Sequence, residues 1–283
     1  MLSQIIEPIS IESSFAASNQ VELSQLLWWQ INRYKFLPFL TFCLVGHTGS
    51  GDGQNWLWLE GQVQHKLAFL ADHVPRGMRL ILVGHSIGCY MILKMISAST
   101  KESLASTNTH QVLKSLLLFP TIERMALSPN GRFFTPVLKY LRWALPLITC
   151  PIYFLLPPTI KALLIKWHFG EGHATCSIDG TLKYLSPSVL SNSAYLANQE
   201  MQQVDKVDVA TIAANIDRLF FYYGVCDLWC PTDYYQSMKS EFPDAEIHLC
   251  SDGLEHAFVL RSSARMAEIV TEFLHSSCII NHW

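Results

Sequence analysis

Charged side chains are scarce in this chain. Of its 283 residues, 15% are Asp, Glu, Lys or Arg, whereas 50% are hydrophobic and 12% are aromatic. Because globular domains usually carry about 25% charged residues, this composition predicts an apolar surface that meets lipid or another protein. The formal net charge is −3 and the sequence has no cluster of Lys and Arg, which argues against nucleic acid as a partner.

Cysteine pairs at the usual redox spacing are also missing. The eight cysteines include no Cys-x-x-Cys pair, and no histidines accompany them at a spacing suited to zinc. This pattern predicts free thiols in a reducing compartment, with no metal or other cofactor. The first residues, MLSQIIEPIS, lack a basic region and contain Glu7 and Pro8. We therefore expect no secretory signal and a catalytic part that stays in the cytosol.

Phosphate-binding loops are absent in their usual form. The uncharged run Leu37–Val45 ends in a glycine-rich stretch at 46–53, as expected for a strand running into a flexible loop. No Gly-Lys-Ser/Thr follows and the Rossmann spacing is missing, so nucleotide binding is not indicated. Glycines let a backbone approach a substrate closely, and the backbone at His47 is therefore a candidate donor to an oxyanion.

The sequence does contain a Gly-x-Ser-x-Gly turn at Gly84–Gly88, between an apolar run and an apolar-rich helical stretch. This context predicts a strand, a tight turn and a helix, with Ser86 at the apex in a strained backbone conformation. The amide of Ile87 then lies at a helix N-terminus, where it stabilises an oxyanion. A Gly-Ser turn without chemistry is the alternative interpretation.

Strands and helices alternate on both sides of a long insertion. Apolar spacing predicts helices over 56–73, 231–242 and 264–274, and further strands over 113–119, 217–224 and 245–250. From Pro120 to about Ala210 this alternation stops. We therefore predict an α/β core of residues 1–119 and 211–283, a mostly parallel sheet flanked by helices, with residues 120–210 inserted as a cap.

Two further side chains complete the chemistry that Ser86 requires. A serine hydroxyl is a poor nucleophile at neutral pH, so it needs an imidazole to take its proton and a carboxylate to orient that imidazole. In a parallel sheet these groups come from the carboxyl ends of strands. This rule selects Asp227 after the fourth predicted strand and His256 after the last. The order Ser86, Asp227, His256 is that of an α/β-hydrolase.

Each of these assignments has an alternative. Glu123 also follows the carboxyl end of a strand and is the second candidate acid. His85, beside the nucleophile, is expected to support the turn rather than to act as the base. Asp227 also fits a turn cap before Pro231, and His256 fits a residue of a surface loop.

The motifs taken together resemble those of the lipid droplet-associated hydrolases, a family within the α/β-hydrolase superfamily. The matching segments are Gly84–Gly88, Leu118–Met125 running into Ser128–Gly131, Gly224–Pro231 and His256–Phe258. The resemblance covers roughly residues 38–275. One departure concerns the oxyanion loop, where the family usually has a Pro-Gly-Asn-Pro-Gly-like sequence and this chain has Val45-Gly46-His47-Thr48-Gly49.

The resemblance implies an α/β-hydrolase fold and association with the endoplasmic reticulum and lipid droplets. It also implies hydrolysis of neutral-lipid esters, such as cholesteryl esters, by Ser86, His256 and Asp227, with the amides of Ile87 and His47 as oxyanion donors. A weakly active or non-catalytic lipid-droplet protein that keeps the fold as a scaffold is the alternative, because a fold alone does not guarantee activity.

An uncharged run within the insertion predicts contact with lipid. Trp143–Ile160 holds 18 residues without a charge, and its four prolines are expected to break a straight helix. Basic side chains flank it on both sides: Lys139, Arg142, Lys161 and Lys166. Because the strands before and after it must join one sheet, we predict a monotopic hairpin, about 133–166, on the cytosolic face of a lipid droplet or endoplasmic reticulum membrane. A buried cap is the alternative.

Overall fold

Five parallel strands form one sheet, and their spatial order follows their order in the chain. The computed structural model describes residues 39–41, 58–75, 77–102, 111–169, 178, 181–182 and 184–276. The strands are β1 (Phe39–Thr41), β2 (Arg79–His85), β3 (Gln111–Leu118), β4 (Leu219–Gly224) and β5 (Glu246–Cys250). Their carboxyl ends lie along one edge of the sheet, so side chains that follow different strands can meet there.

Helices connect the strands and cover the sheet. They are α1 (Leu59–His73), α2 (Ile87–Glu102), α3 (Pro129–Leu141), α4 (Leu145–Leu155), α5 (Pro158–Phe169), α6 (Pro187–Gln203), α7 (Val209–Ala214), α8 (Thr232–Glu241), α9 (Phe258–Arg261) and α10 (Ser263–Ser276). Short 3₁₀ turns occupy Met125–Leu127, Arg142–Ala144 and Ile216–Arg218. The predicted α/β class, with a parallel sheet flanked by helices, is confirmed.

The central strands are buried on both faces. Residues 80–83 of β2, 116–118 of β3 and 219–221 of β4 are each at most 2% exposed. Continuous apolar runs of this kind are typical of parallel strands that carry helices on both sides. The predicted strand over 217–224 begins too early, because Ile216–Arg218 forms a 3₁₀ turn before β4.

The insertion between β3 and β4 is mostly helical. No single helix in the described ranges is both long and apolar enough to cross a membrane, whereas Pro129–Leu155 and Pro158–His168, bent by 114°, together reach the required length and composition. The prediction that a straight helix is broken into pieces is confirmed at Pro157 and Pro158, whereas Pro146 and Pro151 lie inside α4. Pro146 lies in the first turn of α4, where its missing N–H costs nothing, and α4 continues through Pro151 because proline keeps a helical φ.

Candidate active site

Ser86 occupies the turn between β2 and α2. Its φ of +56° is left-handed, a conformation that non-glycine residues adopt at an energetic cost. Two backbone hydrogen bonds hold it, since the Ser86 amide donates to the Leu118 carbonyl over 3.1 Å and the Cys89 amide donates to the Ser86 carbonyl over 3.0 Å. A Cβ at Gly84 would lie 2.9 Å from the Cys89 nitrogen, so only glycine fits this close approach of strand and helix.

The structure brings together the three side chains selected from the sequence. Nε2 of His256 lies 2.8 Å from Oγ of Ser86, and Nδ1 of His256 lies 2.6 Å from Oδ2 of Asp227. Because a carboxylate only accepts, Nδ1 carries the proton and Nε2 accepts from the serine hydroxyl. Asp227 follows β4 and His256 follows β5. The two hydrogen bonds that join Ser86, His256 and Asp227, which we call the relay, therefore lie along the carboxyl edge of the sheet.

The Asp227 carboxylate is buried and well supplied with donors. Oδ1 accepts the amides of Trp229 over 2.7 Å and Cys230 over 3.1 Å, and Oδ2 also accepts the Cys230 thiol over 2.8 Å. Burial by itself raises the pKa of Asp227, but hydrogen bonds and charge from His256, followed by the Cys230 and Trp229 donors, outweigh it and hold this pKa below its ordinary value. The group is therefore ionised at neutral pH.

His85 points toward the loop that carries His256. Its Nε2 donates to the His256 carbonyl over 2.8 Å, and its ring meets the edge of Phe258 at a centroid distance of 4.5 Å. Burial, and then the charge of His256, lower the pKa of His85 to about 3. His85 is therefore neutral at physiological pH, with its donor engaged by a carbonyl rather than by Ser86.

Thr121 and Phe119 were not selected from the sequence, although both lie near the relay. Oγ1 of Thr121 is 3.5 Å from Oγ of Ser86, and Thr121 is 1% exposed. Phe119 has a left-handed φ of +50°, and its ring lies 6.1 Å from that of His256. Both residues follow the carboxyl end of β3, and this position in the sequence could have identified them as site residues.

Glu123, the second candidate acid, is engaged elsewhere. Its Oε2 accepts from Nε of Arg124 over 2.7 Å. Burial raises the pKa of Glu123 despite the opposing charge of Arg124. Among the described residues no contact joins Glu123 to His256, so the structure favours Asp227 as the partner of the imidazole.

Of the two predicted oxyanion donors, the amides of Ile87 and His47, the structure describes Ile87. Ile87 begins α2, and the first amides of a helix have no partner within that helix. A helix N-terminus of this kind favours an anion, which suits a donor role for the Ile87 amide. His47 lies outside the described residues, as do the rest of the stretch 46–53 and the first 38 residues.

Three potential metal ligands also meet at this site. Single atoms of Asp227, Cys230 and His256 lie within 4.8 Å of one another. A tetrahedral zinc ion would hold a carboxylate oxygen about 3.3 Å from a nitrogen ligand and about 3.5 Å from a sulfur ligand, given bonds of about 2.0 Å to oxygen and nitrogen and about 2.3 Å to sulfur. The shared Oδ2 instead lies 2.6 Å from nitrogen and 2.8 Å from sulfur. These are hydrogen-bond distances, so we assign the cluster to the relay.

Comparison with known proteins agrees with this architecture. Among solved structures, a lipase-esterase related protein from Clostridium acetobutylicum superposes with a TM-score of 0.51 at 16% identity, covering 87% of this chain and 88% of that one. This likeness concerns the fold alone.

Sequence relatives are more specific. A lipid droplet-associated hydrolase from Gallus gallus is 45% identical over 76% of this chain, and the chain spans 64% of that relative's length. A lipid droplet-associated hydrolase from Drosophila melanogaster is 34% identical over 93% of this chain and 83% of its own length. The family profile described as lipid-droplet associated hydrolase matches residues 26–259. The chain therefore belongs to the lipid droplet-associated hydrolase family.

Proposed function

We propose that this chain is a serine hydrolase that cleaves esters through an acyl-enzyme intermediate. The observation that carries the proposal is the relay of two hydrogen bonds that joins Ser86 to His256 and His256 to Asp227. The left-handed turn at Ser86 presents the hydroxyl at the end of β2, as an activated nucleophile requires. Family membership supports hydrolysis in general.

The proposed reaction has two matched halves. Oγ of Ser86 attacks the ester carbonyl carbon while Nε2 of His256 takes the hydroxyl proton. The amide of Ile87, together with that of His47, stabilises the negative oxygen. The C–O bond to the alcohol then breaks, and His256 returns its proton to the leaving alcohol. Water attacks the acyl-enzyme by the same route and releases the acid, while Asp227 stabilises the imidazolium in both halves.

The proposed substrates are neutral-lipid esters, such as cholesteryl esters, at lipid droplets. The names of the relatives support this location. The exposed apolar surface of α3, α4 and α5, which we call the apolar face, supports it independently. Its exposed side chains are Phe133, Phe134, Tyr140, Leu141, Trp143, Leu147, Ile148, Ile152, Phe154, Leu155, Ile160, Leu163, Leu164 and Trp167. An apolar patch of this extent needs a partner of low polarity.

The position of the apolar face suits a lipid substrate. Phe134 of α3 stacks on Trp229 with a centroid distance of 5.6 Å, and the Trp229 ring lies 6.4 Å from that of His256. The amide of Asn130 also donates to the Leu228 carbonyl over 3.0 Å. The start of the apolar face is thus fixed to the loop that carries Asp227, so an ester leaving a lipid surface has a short path to Ser86.

We propose that the insertion lies on one side of the lipid without crossing it. Its two ends join β3 and β4, which are neighbours in the sheet, and the 114° bend after Leu155 turns the chain back. Residues 120–210 then act as a cap on a core of residues 1–119 and 211–283, with the hairpin at about 133–166. The resulting location is the cytosolic face of a lipid droplet or of the endoplasmic reticulum membrane.

Labelling by a fluorophosphonate probe tests the mechanism. We expect the wild-type protein to be labelled and to hydrolyse at least one ester in a panel of neutral lipids, and Ser86→Ala to do neither. Ser237→Ala is the matched control, because Ser237 is an exposed serine on α8 and should leave both activities unchanged. A wild-type protein that neither reacts with the probe nor hydrolyses any ester would favour the non-catalytic lipid-droplet protein.

A further inference from the structure

Cys230 supplies two of the four hydrogen bonds that described residues donate to the Asp227 carboxylate. Its amide donates to Oδ1 over 3.1 Å, and its thiol donates to Oδ2 over 2.8 Å. The same Oδ2 accepts Nδ1 of His256 over 2.6 Å. Thiol and imidazole therefore share one carboxylate oxygen, and both Asp227 and Cys230 are buried, so solvent does not replace the thiol.

The proton of this thiol is retained at neutral pH. Burial, and then the negative charge of Asp227, raise the pKa of Cys230 well above its usual range. Reactivity of a cysteine requires the thiolate, so this sulfur is a poor nucleophile and a poor target for oxidation. Its remaining capacity is that of a hydrogen-bond donor to Asp227.

We propose that Cys230 is a positioning residue that tunes the proton affinity of His256 through the carboxylate oxygen they share. The inference rests on the proposed function, since it assigns a role within that relay. A donor on Oδ2 withdraws negative charge from the oxygen that stabilises the imidazolium. The thiol therefore weakens the stabilisation of the imidazolium by Asp227, and we expect this to extend the active range toward acid.

Other titratable groups near the relay have defined states. His85 is neutral above about pH 3, because burial and the charge of His256 lower its pKa to about 3. Burial raises the pKa of Cys89 and of Tyr223 well above their usual ranges, so both stay protonated. Glu123 is paired with Arg124, and burial raises its pKa. Among these described neighbours, Glu123 is thus the one whose charge can change in the acid range, and Glu123→Gln controls for it.

The first test is the pH dependence of the second-order rate constant for fluorophosphonate labelling. We expect Cys230→Ala to move the acid limb upward by about half a pH unit, the size expected for one weak donor to a charged group. Cys230→Ser, which keeps a donor, should move it less. Cys250→Ala is the matched control, because Cys250 is equally buried but lies in β5. An unmoved acid limb in Cys230→Ala, or an equal shift in Cys250→Ala, would overturn the proposal.

A second measurement separates this proposal from the proposed function. The proton on Nδ1 of His256 gives a low-field NMR signal whose position reports its bond to Asp227, whether or not the protein is catalytic. We expect this signal to move in Cys230→Ala and to stay in place in Cys250→Ala. If the wild-type protein does not react with the probe, the proposed function fails and the NMR signal decides the thiol's role. Should Cys230→Ala not fold, Cys230→Ser and Cys230→Val replace it, and an unmoved signal in Cys230→Val would overturn the proposal.

Discussion

A side chain on Gly224 has no room beside Phe119, because a Cβ there would lie 2.3 Å from Cε1 of the ring. Phe119 has a left-handed backbone, and its amide donates to the Tyr222 carbonyl over 2.7 Å. The same ring packs 5.2 Å from that of Phe258. The end of β4 and the loop after β3 are thus fitted to each other, next to the loop of His256.

We expect Gly224→Ala to displace the Phe119 ring and to lower the free energy of unfolding by about 1–3 kcal/mol, as overpacked cores do. Labelling of Ser86 by the fluorophosphonate should slow as well. Urea unfolding of Gly224→Ala, Phe119→Leu and the double variant measures the coupling. The smaller side chain of Phe119→Leu should relieve the contact with the methyl group that Gly224→Ala introduces, so the double variant should lose less unfolding free energy than the two single variants together. A loss equal to their sum would contradict the close packing of Gly224 against Phe119.

Charge-neutral variants can distinguish Asp227 from Glu123 as the acid that pairs with His256. Asp227→Asn should lower the rate of ester turnover by about 10⁴-fold, because an amide partner favours the wrong imidazole tautomer, by analogy with serine proteases. Glu123→Gln should leave more than a tenth of the rate, since its contact is with Arg124. Steady-state rates on one ester suffice. A greater loss in Glu123→Gln would refute the assignment.

Glu200 predicts how the stability of the protein depends on pH. It is 7% exposed on α6, and burial raises its pKa from 4.5 to about 7. The folded state therefore retains a proton that the unfolded chain releases above about pH 4.5. The contribution of Glu200 to stability should be greatest below pH 4.5, fall between pH 4.5 and about 7, and then level off, with a total loss of at most about 3 kcal/mol.

Glu200→Gln should remove most of that fall. The measurement is the difference between the unfolding free energies at pH 5 and pH 8 in wild type and variant, obtained from urea titrations. Glu241→Gln is the control, because Glu241 is an exposed glutamate at the end of α8. If the wild-type protein and Glu200→Gln lose the same stability between the two pH values, Glu200 is not the group responsible.

The apolar face should hold the protein on lipid droplets. Replacing Phe154, Leu155 and Trp167 with serine removes side chains that are 76%, 79% and 82% exposed, so folding should be preserved. Each large apolar side chain buried in lipid contributes about 1.5–3 kcal/mol. We therefore expect the triple variant to leave the floating droplet fraction for the soluble fraction in a flotation assay. Excision of Trp143–Ile160, with a short polar loop in its place, should have the same effect.

Neutralising Lys139, Arg142, Lys161 and Lys166 provides the comparison, because surface charge contributes less than apolar contact. Lys161 is partly engaged within the protein, donating to the Tyr153 carbonyl over 3.0 Å. We expect this charge-neutral variant to float with droplets. If the triple serine variant also floats, another segment of the chain supplies the anchor.

Much of this arrangement follows from sequence rules that concern the sheet. Buried parallel strands need continuous apolar runs, so β2, β3 and β4 are visible in the sequence. A parallel sheet gathers its strand ends on one edge, and this rule places Asp227 and His256 near Ser86 from the sequence alone. Helix α4 is less predictable, because Pro151 both fits helical φ and removes a hydrogen bond, and sequence rules weigh the second effect more heavily.

The details that sequence rules miss depend on tertiary geometry. The loop after β4 carries both Asp227 and Cys230, and it turns back so that the Cys230 thiol reaches the Asp227 carboxylate. The close contact of Gly224 with Phe119 joins the end of β4 to the loop after β3 and has no local signature. Thr121 lies beside Ser86, two residues after Phe119, whose backbone is left-handed. The spacing of apolar residues does not predict such a backbone conformation.

The hydrogen bond from His85 to the carbonyl of His256 has a mechanical consequence. One residue is the chain neighbour of Ser86, the proposed nucleophile, and the other is the proposed base, 171 positions later. His85 binds the main-chain carbonyl of His256 and not its ring. The backbone of His256 is therefore restrained, whereas its imidazole stays free to rotate. Both ring nitrogens already lie within 2.8 Å of their partners, so the proposed proton transfers need no loop movement and need not wait for the slower motions of the polypeptide.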